Sequence, residues 1–246
     1  MSYDIKDKIA LVTGANRGIG KAIVESFLRH GAAKVYAGVR SVDKGDALTA
    51  ELGEKVVPIA VDYNDPVSIA AAAQTASAVE VVVSNAGILK LAGALDDDVI
   101  ETFEEELEVN VYGLLRMAKA FAPVLKANGG GAFVQINSIA SLANFPDFAS
   151  YCASKAAAYS FTQGLKPIFA AQGTTLLSVH PGPIATDMAS QAGMDGMGDP
   201  VSMVSEGIVA ALKAGDFHLF PDTMAKHFET AYAAFAQGVI EAEPGH

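Results

Sequence analysis

The chain has 246 residues, of which 51% are hydrophobic and 18% are charged, and its formal net charge is −11. This length suits one large α/β domain with a well-buried core. A charge this negative argues against binding to nucleic acid and to anionic membrane surfaces. No apolar run reaches the length of about 18 residues that a membrane-spanning helix needs, so we expect no membrane association.

The N-terminus, the single cysteine and the histidines indicate the cellular compartment and whether the chain binds a metal. Residues 1–8 are charged and lack the apolar segment of a signal peptide. Cys152 permits no internal disulfide, which fits a reducing compartment, and we expect the cytoplasm. The five histidines are dispersed without ligand spacing, and we predict no metal.

A glycine-rich turn follows the first predicted strand, residues 9–13, and opens a helix that closes near Gly31. Strand, turn and helix in this order are the context of a dinucleotide site. The glycines let the backbone approach a pyrophosphate, and the helix N-terminus offers free N–H groups. The spacing is Gly-x-x-x-Gly-x-Gly, and the alternative is that these glycines only shape a tight turn. The residues assigned to the cofactor here are Gly14, Asn16, Arg17, Gly18, Ile19 and Gly20.

The second predicted strand, residues 34–39, ends at Arg40 and Ser41, where the adenosine ribose of a cofactor is expected. An acid at this point binds a free 2′-hydroxyl, whereas an arginine suits a 2′-phosphate. Arg17 and Arg40, with the Ser41 hydroxyl, therefore favour NADP(H). Each arginine alone is compatible with ordinary surface, and the nearby Asp43 keeps NAD(H) open as the less favoured cofactor.

Two further strands end in candidate cofactor residues. The strand at 56–61 leads to Asp62 and Tyr63, and Asp62 either accepts a hydrogen bond from the adenine amine or caps the helix after Pro66. The strand at 79–83 leads to small residues that let a flat cofactor pass over the sheet. These residues are Asn85, Ala86 and Gly87.

A long helix is predicted from Asp96 to about Leu125, with acidic clusters that complement its dipole and form a solvated face. Asn110 interrupts it. An asparagine in mid-helix usually faces solvent, so the residue type alone does not favour a catalytic role.

Tyr151 and Lys155 lie four residues apart on a predicted helix, so they point at the same volume. A phenol has a reference pKa of about 10, and an ammonium one turn away lowers it. Ser138 ends a buried strand and can hold the oxygen whose proton the tyrosine moves. Together these groups could catalyse the proton transfer that interconverts an alcohol and a carbonyl. Tyr-x-x-x-Lys also occurs in ordinary amphipathic helices, so it gains weight only beside a hydride carrier.

The last third of the chain contains a strand at 174–180, a helix at 204–213, a strand at 217–221 and a terminal helix. Residues 187–203 are rich in Gly and Met, which suits a mobile lid over an apolar substrate, although a plain loop has the same composition. Residues 241–246 are predicted to be a tail. The candidate substrate contacts are Phe145, Phe148, Met188 and Met194.

Strands and helices alternate throughout, which predicts a single α/β Rossmann domain over residues 1–246. Its core is a doubly wound parallel sheet of about seven strands with helices on both faces. Ligands bind such sheets at the carboxyl ends of the strands. The candidate residues that fall there are Gly14, Arg40, Asp62, Asn85, Ser138 and Pro181.

From about Lys6 to Phe220 the chain resembles a short-chain dehydrogenase/reductase of the type with roughly 250 residues. The resemblance rests on segments that follow one another at family-like intervals. They are Thr13–Gly20, Asn85-Ala86-Gly87, Asn110, Ser138 with Tyr151-x-x-x-Lys155, and Pro181-Gly182 followed by Thr186.

The resemblance implies a role for each residue. Tyr151 is the general acid in reduction and the base in oxidation, and Ser138 holds the substrate oxygen. Lys155 binds the nicotinamide ribose and lowers the tyrosine pKa, while Asn110 positions a water in a proton relay. A homotetramer or homodimer forms through the helices that carry Asn110 and Tyr151. The residues that line the nicotinamide carboxamide are Pro181, Gly182, Ile184 and Thr186.

We therefore expect an NADPH-dependent carbonyl reductase that also works in reverse as an alcohol dehydrogenase. Ser84 stands where the family commonly has a second Asn, and Phe220-Pro221-Asp222 replaces a glycine-rich ending. That ending and the acidic charge argue against 3-oxoacyl carrier-protein reduction, because the carrier protein is itself acidic. The alternatives from other classes are a non-catalytic NADP-binding or regulatory protein and a non-redox enzyme such as a dehalogenase.

Overall fold

The computed structural model describes residues 2–193, 196 and 198–241. Within these residues seven strands form one sheet in the order β3-β2-β1-β4-β5-β6-β7, and every neighbouring pair is parallel. The strands are β1 (Ile9–Thr13), β2 (Lys34–Val39), β3 (Val56–Ala60), β4 (Val81–Ser84), β5 (Ala132–Ile136), β6 (Thr175–Val179) and β7 (His218–Leu219). The predicted doubly wound parallel sheet is confirmed.

Helices cover both faces of this sheet. They are α1 (Gly18–Arg29), α2 (Asp43–Leu52), α3 (Pro66–Thr75), α4 (Val99–Glu106), α5 (Gly113–Ala127), α6 (Ala149–Ala171), α7 (Asp187–Gln191), α8 (Val201–Ala214) and α9 (Thr223–Phe235). Phe27 of α1 and Leu212 of α8 belong to one core, and Met117 of α5 and Phe169 of α6 belong to the other. Central strands such as β4 are apolar without alternation because both of their faces are buried.

The strand order reverses beside β1, since β2 and β3 lie on one side of it and β4 to β7 on the other. In open α/β sheets this switch point leaves a crevice outside the carboxyl ends of the strands. The first glycine-rich turn and the residues after β4 meet at that crevice. Within the described part of the chain, no helix combines the length and the apolar composition needed to cross a bilayer.

The structure departs from the predicted elements most clearly in the long helix before β5 and in the final strand. The helix predicted from Asp96 to about Leu125 has three parts, because a wide π-helical turn, Leu107–Tyr112, separates α4 from α5. The final strand, β7, covers only His218–Leu219 and is therefore shorter than the predicted 217–221. Residues 194, 195, 197 and 242–246, which include Met194 and most of the predicted tail, lie outside the described residues.

Candidate active site

A cavity of about 810 Å³ lies at the carboxyl ends of the strands. It brings together nearly all of the predicted site residues. Among the predicted residues that the structure describes, Ser41 and Asn110 are not part of its lining. The predicted residues that line it are Gly14, Asn16, Arg17, Gly18, Ile19, Gly20, Arg40, Asp62, Tyr63, Asn85, Ala86, Gly87, Ser138, Phe145, Phe148, Tyr151, Lys155, Pro181, Gly182, Ile184, Thr186 and Met188.

The glycine-rich turn is locked to the residues that follow β4. The Thr13 hydroxyl oxygen accepts hydrogen bonds from the backbone N–H groups of Asn85 and Ala86, at 2.9 and 3.1 Å. The Asn85 side chain donates back to the Thr13 carbonyl at 2.8 Å. A Cβ on Gly20 would lie 2.2 Å from the Gly14 carbonyl oxygen, so the close turn requires glycine there. The first turn of α1 has no side-chain cap, which leaves its N–H groups for a ligand.

Two arginines border the outer end of the cavity. Arg40 is exposed, and within the described residues its guanidinium takes part in no ion pair. Arg17 is also exposed, and its Nη1 lies 3.1 Å from Asp187 Oδ2 at the start of α7. A phosphate at this end would therefore meet one arginine without an ionic partner and one that is already paired.

The capping interpretation of Asp62 is wrong. Asp65 caps α3 instead, because its side chain accepts the N–H of Val67 at 2.9 Å. Asp62 lines the cavity and accepts the N–H of Asn64 at 3.0 Å. Its contact with an adenine stays a prediction.

Tyr63 lines the cavity, but its hydroxyl is engaged inside the protein. The phenolic oxygen lies 2.8 Å from both Thr13 Oγ1 and Ser84 Oγ. Burial raises the pKa of Tyr63 to about 12, which these hydrogen bonds partly oppose. Ser84, a departure from the family pattern, therefore has a structural partner in this chain.

Ser138, Tyr151 and Lys155 meet on the inner side of the cavity. Ser138 follows β5, where its hydroxyl accepts the N–H of Ala140 at 3.1 Å and donates to the Pro181 carbonyl at 3.3 Å. Tyr151 lines the cavity close enough to Ser138 for that hydroxyl to affect its ionisation. Lys155 Nζ lies 5.8 Å from the Tyr151 ring centroid, as the spacing of four residues on α6 predicts.

Burial controls the ionisation of this pair. It raises the pKa of Tyr151 above 10.0, and the Ser138 hydroxyl acts against the shift. Burial lowers the pKa of Lys155 from 10.5 to about 8, and the negative charge of Glu106 acts against that shift. The net shift of the Tyr151 pKa is therefore upward, opposite to the direction that the spacing from Lys155 predicts. Lys155 directs its Nζ to the Ile136 carbonyl, 3.0 Å away, and is itself poorly solvated.

Asn110 lies in the π-helical turn and is 2% exposed, so the expectation that it faces solvent is wrong. Its Oδ1 accepts the N–H of Ile88, and its Nδ2 donates to the Ile88 carbonyl, each at 3.0 Å. Nδ2 also donates to Ser154 Oγ at 2.9 Å. A Cβ on Gly87 would lie 3.1 Å from Asn110 Oδ1 and 3.6 Å from Lys155 Nζ. Asn110 and Lys155 therefore both lie beside Gly87, which lines the cavity.

The loop from Pro181 to Thr186 lines the cavity next to Ser138. The Pro181 carbonyl accepts the N–H of Ile139 at 3.0 Å, which ties this loop to the residues after Ser138. Thr186 caps α7 by accepting the N–H of Ala189 at 3.3 Å. The start of the predicted lid, residues 187–203, is thus the short helix α7, and the lid itself stays a prediction.

Met224 and Asp222 are among the residues near this loop that sequence reasoning missed. Met224 of α9 lines the cavity beside the predicted substrate contacts Phe145, Phe148 and Met188. Asp222, which precedes α9, is 0% exposed and accepts the N–H of Gly182 at 2.7 Å. The only available signal was the departure from a glycine-rich ending at residues 220–222. Among the described residues, no group of three or more His, Cys, Asp or Glu side chains is placed to hold a metal.

The chain matches the short chain dehydrogenase family over residues 8–195. It is 32% identical over 217 residues to the short chain dehydrogenase pigC of Monascus ruber, a match covering 83% of this chain and 71% of pigC. It is 36% identical over 185 residues to galactitol 2-dehydrogenase (L-tagatose-forming) of Cereibacter sphaeroides, covering 73% and 72%.

A solved short chain dehydrogenase from Burkholderia cenocepacia, in complex with NADP, has a TM-score of 0.87 and 34% identity, covering 98% of this chain and all of that one. The chain therefore belongs to the short chain dehydrogenase family. Within that family it is an oxidoreductase of the class that depends on a pyridine nucleotide.

Proposed function

We propose that this chain catalyses the NADPH-dependent reduction of a ketone or aldehyde to an alcohol, and the reverse oxidation. One observation carries the proposal. A single cavity joins the glycine-rich turn and Arg40 at one end to Ser138, Tyr151 and Lys155 at the other. Neither a non-catalytic NADP-binding protein nor a non-redox enzyme needs that combination.

The residues present fit this cofactor. The uncapped first turn of α1 and the close approach at Gly20 suit the pyrophosphate. Arg40 and Arg17 suit the 2′-phosphate, Lys155 suits the nicotinamide ribose and the Pro181–Thr186 loop suits the carboxamide. The NADP-bound relative from Burkholderia cenocepacia supports the choice of NADP(H). When bound, NADPH supplies the hydride.

The chain's own groups hold the substrate oxygen and move one proton. The Ser138 hydroxyl exchanges its weak bond with the Pro181 carbonyl for a bond to the substrate oxygen. Tyr151, whose pKa is raised by burial, is protonated at neutral pH and gives its phenolic proton to that oxygen during reduction. Lys155 then returns a proton to the phenolate through a water that Asn110 helps to position.

The apolar side chains that line the cavity indicate the substrate class. Phe145, Phe148, Met188 and Met224 present apolar surface beside Tyr151. Such a wall suits an apolar or aromatic carbonyl compound, because apolar contacts dominate the affinity of small ligands. One relative is named for galactitol, a polyol, so a polyol is the second substrate class to test.

We also propose that the chain forms a homotetramer or homodimer through the helices that carry Asn110 and Tyr151. Apolar side chains on these helices are exposed, and a second copy would bury them. They are Ile100, Tyr112, Phe161 and Ile168. Light scattering coupled to size-exclusion chromatography gives the mass in solution, and a monomer at assay concentration contradicts this proposal.

The deciding experiment is an assay of the purified chain with both cofactors, followed at the absorbance of reduced nicotinamide. Ketones, aldehydes, diketones and polyols are the test compounds, with secondary alcohols for the reverse reaction. We expect apolar or aromatic carbonyl compounds to be reduced with NADPH. Tight NADPH binding without turnover of any compound would favour the non-catalytic alternative, and failure to bind either cofactor would remove the proposal altogether.

A further inference from the structure

Asp222 joins α9 to the Pro181–Thr186 loop, which lines the cavity. It is 0% exposed and caps α9, where its Oδ1 accepts the N–H of Ala225 at 3.0 Å. Its other oxygen, Oδ2, accepts the N–H of Gly182 at 2.7 Å. Hydrogen bonds to an ionised acceptor are among the stronger ones in proteins, and a buried N–H left without a partner is costly. One carboxyl group therefore ties the start of α9 to the Pro181–Thr186 loop.

Gly182 is the residue that makes this contact possible. A Cβ at this position would lie 2.7 Å from Asp222 Oδ1 and 3.2 Å from Met224 Cβ. No real side chain packs that closely against a carboxylate oxygen, so position 182 must be glycine while Asp222 occupies this place. The contact thus depends on the identity of both residues, which are 40 positions apart in the sequence.

Asp199 makes a second, more exposed tie beside the first. Its Oδ2 accepts the N–H of Thr223 at 2.7 Å. Its backbone pairs with the same loop, because Ala185 donates to the Asp199 carbonyl at 2.9 Å and Asp199 donates to the Pro183 carbonyl at 3.1 Å. The loop and the first turn of α9 are thus held as one unit, with Asp222 as its buried link.

We propose that Asp222 is a positioning residue that holds the Pro181–Thr186 loop in the form that binds the nicotinamide half of NADP(H). The inference rests on the proposed function, because it takes NADP(H) as the cofactor. Gly182 lines the cavity on the side of Tyr151, whereas the adenosine half is expected at Gly14–Gly20 and Arg40. Loosening the loop should therefore weaken the binding of one half of the cofactor and leave the other half unaffected.

The test replaces Asp222 by serine. Serine caps helices about as well as aspartate, so α9 keeps its cap, but the bond to Gly182 is lost. The matched control is Asp65→Ser, because Asp65 caps α3 by the same type of bond, 2.9 Å to the N–H of Val67, and does not line the cavity. Calorimetry then gives the Kd of two probes, NADPH and adenosine 2′,5′-bisphosphate, and thermal unfolding gives the stability of each variant.

We expect the Kd for NADPH to rise about tenfold in Asp222→Ser, with the Kd for the bisphosphate changed less than about twofold. Asp65→Ser should change neither. The inference is overturned if the Kd values of both probes rise equally, or if neither Kd changes. If the serine variant is insoluble, Asp222→Thr keeps the cap and more buried volume and is judged by the same selectivity. Wild-type protein that binds neither probe removes the proposed function and this inference together, so the two failures are distinguishable.

Discussion

The two ends of the cavity hold their polar side chains in opposite ways. At the inner end, which we define by Ser138, Tyr151 and Lys155, Lys155 is 5% exposed. The Ser138 hydroxyl and the Lys155 ammonium each have a hydrogen-bond partner within the protein. At the outer end, defined by Arg17 and Arg40, both guanidinium groups face solvent. The Arg17 side chain is 59% exposed even though it forms an ion pair.

This difference decides how each end responds to substitution. In the interior, charges are poorly screened, and a group that loses its partner has no water to replace it. At the surface, an ion pair is worth about 0.2–1 kcal/mol and salt weakens it. Changes at the inner end should therefore be large and independent of salt, whereas changes at the outer end should be graded and sensitive to salt.

The largest effect is expected from Tyr151→Phe. Removing the phenolic hydroxyl removes the proton donor, so kcat should fall by about 10³-fold. NADPH binding should change little, because the ring is retained. Steady-state rates and a calorimetric Kd for NADPH check both parts. The control is Tyr159→Phe on the same helix, whose hydroxyl lies 2.6 Å from His218 Nε2 and not in the cavity. An active Tyr151→Phe enzyme would refute the assigned role.

The next effect is expected from Arg40→Asp at the outer end. Loss of a charge-assisted contact to the 2′-phosphate, with a carboxylate in its place, should lower the preference for NADPH over NADH by about tenfold to a hundredfold. The ratio of the two kcat/KM values measures it, at low and at high salt. Arg29→Asp makes the same charge change beside Glu206, outside the cavity lining, and should leave the ratio unchanged. An unchanged ratio in Arg40→Asp would clear Arg40 of the phosphate role.

Features that depend on local spacing could be predicted from the sequence, whereas features that depend on the whole fold could not. The strand ends, the glycine-rich turn and the Tyr151–Lys155 pair follow from local spacing, and the structure places them in one cavity. The burial of Asn110 depends on a π-helical turn, which residue type does not indicate. The Asp222–Gly182 contact joins residues 40 positions apart, and no local pattern encodes it.

The ionisation of Tyr151 also could not be predicted from spacing alone. Four residues on a helix bring Lys155 near Tyr151, which indicates a lowered tyrosine pKa. Burial of both groups penalises the phenolate and the ammonium, so the pKa of Tyr151 rises instead of falling and the pKa of Lys155 falls. Depth of burial is a property of the whole fold, so a two-residue motif does not contain it.

A smaller effect is expected from pH. The pKa of Lys155 is about 8 in the folded chain, so kcat/KM for NADPH in reduction should fall above that pH by at most about tenfold per unit. Tyr151 stays protonated there because its pKa is raised. The unfolded lysine binds its proton up to its ordinary pKa of 10.5, so the contribution of Lys155 to the free energy of unfolding rises between about pH 8 and 10.5.

Urea unfolding of the apoprotein across that interval measures the second effect without any turnover. Lys155→Met keeps a side chain of similar length and cannot titrate, so it should lose the rise in stability. Two results together would show that Lys155 is not the titrating group: a wild-type kcat/KM that stays flat above pH 8, and a free energy of unfolding that changes with pH in the same way in both proteins.

The smallest effect is expected at the ion pair of the outer end. Arg17 Nη1 lies 3.1 Å from Asp187 Oδ2, so a 2′-phosphate has to compete with that carboxylate for the guanidinium. Asp187→Asn removes the competing charge and should tighten NADPH binding about two- to threefold at low salt, since exposed pairs are worth about 0.2–1 kcal/mol. NADH binding should not change, because NADH lacks the 2′-phosphate. Titrations of both cofactors at low and high salt check this, and a gain that persists at high salt would place the effect in the fold of α7 rather than in the charge.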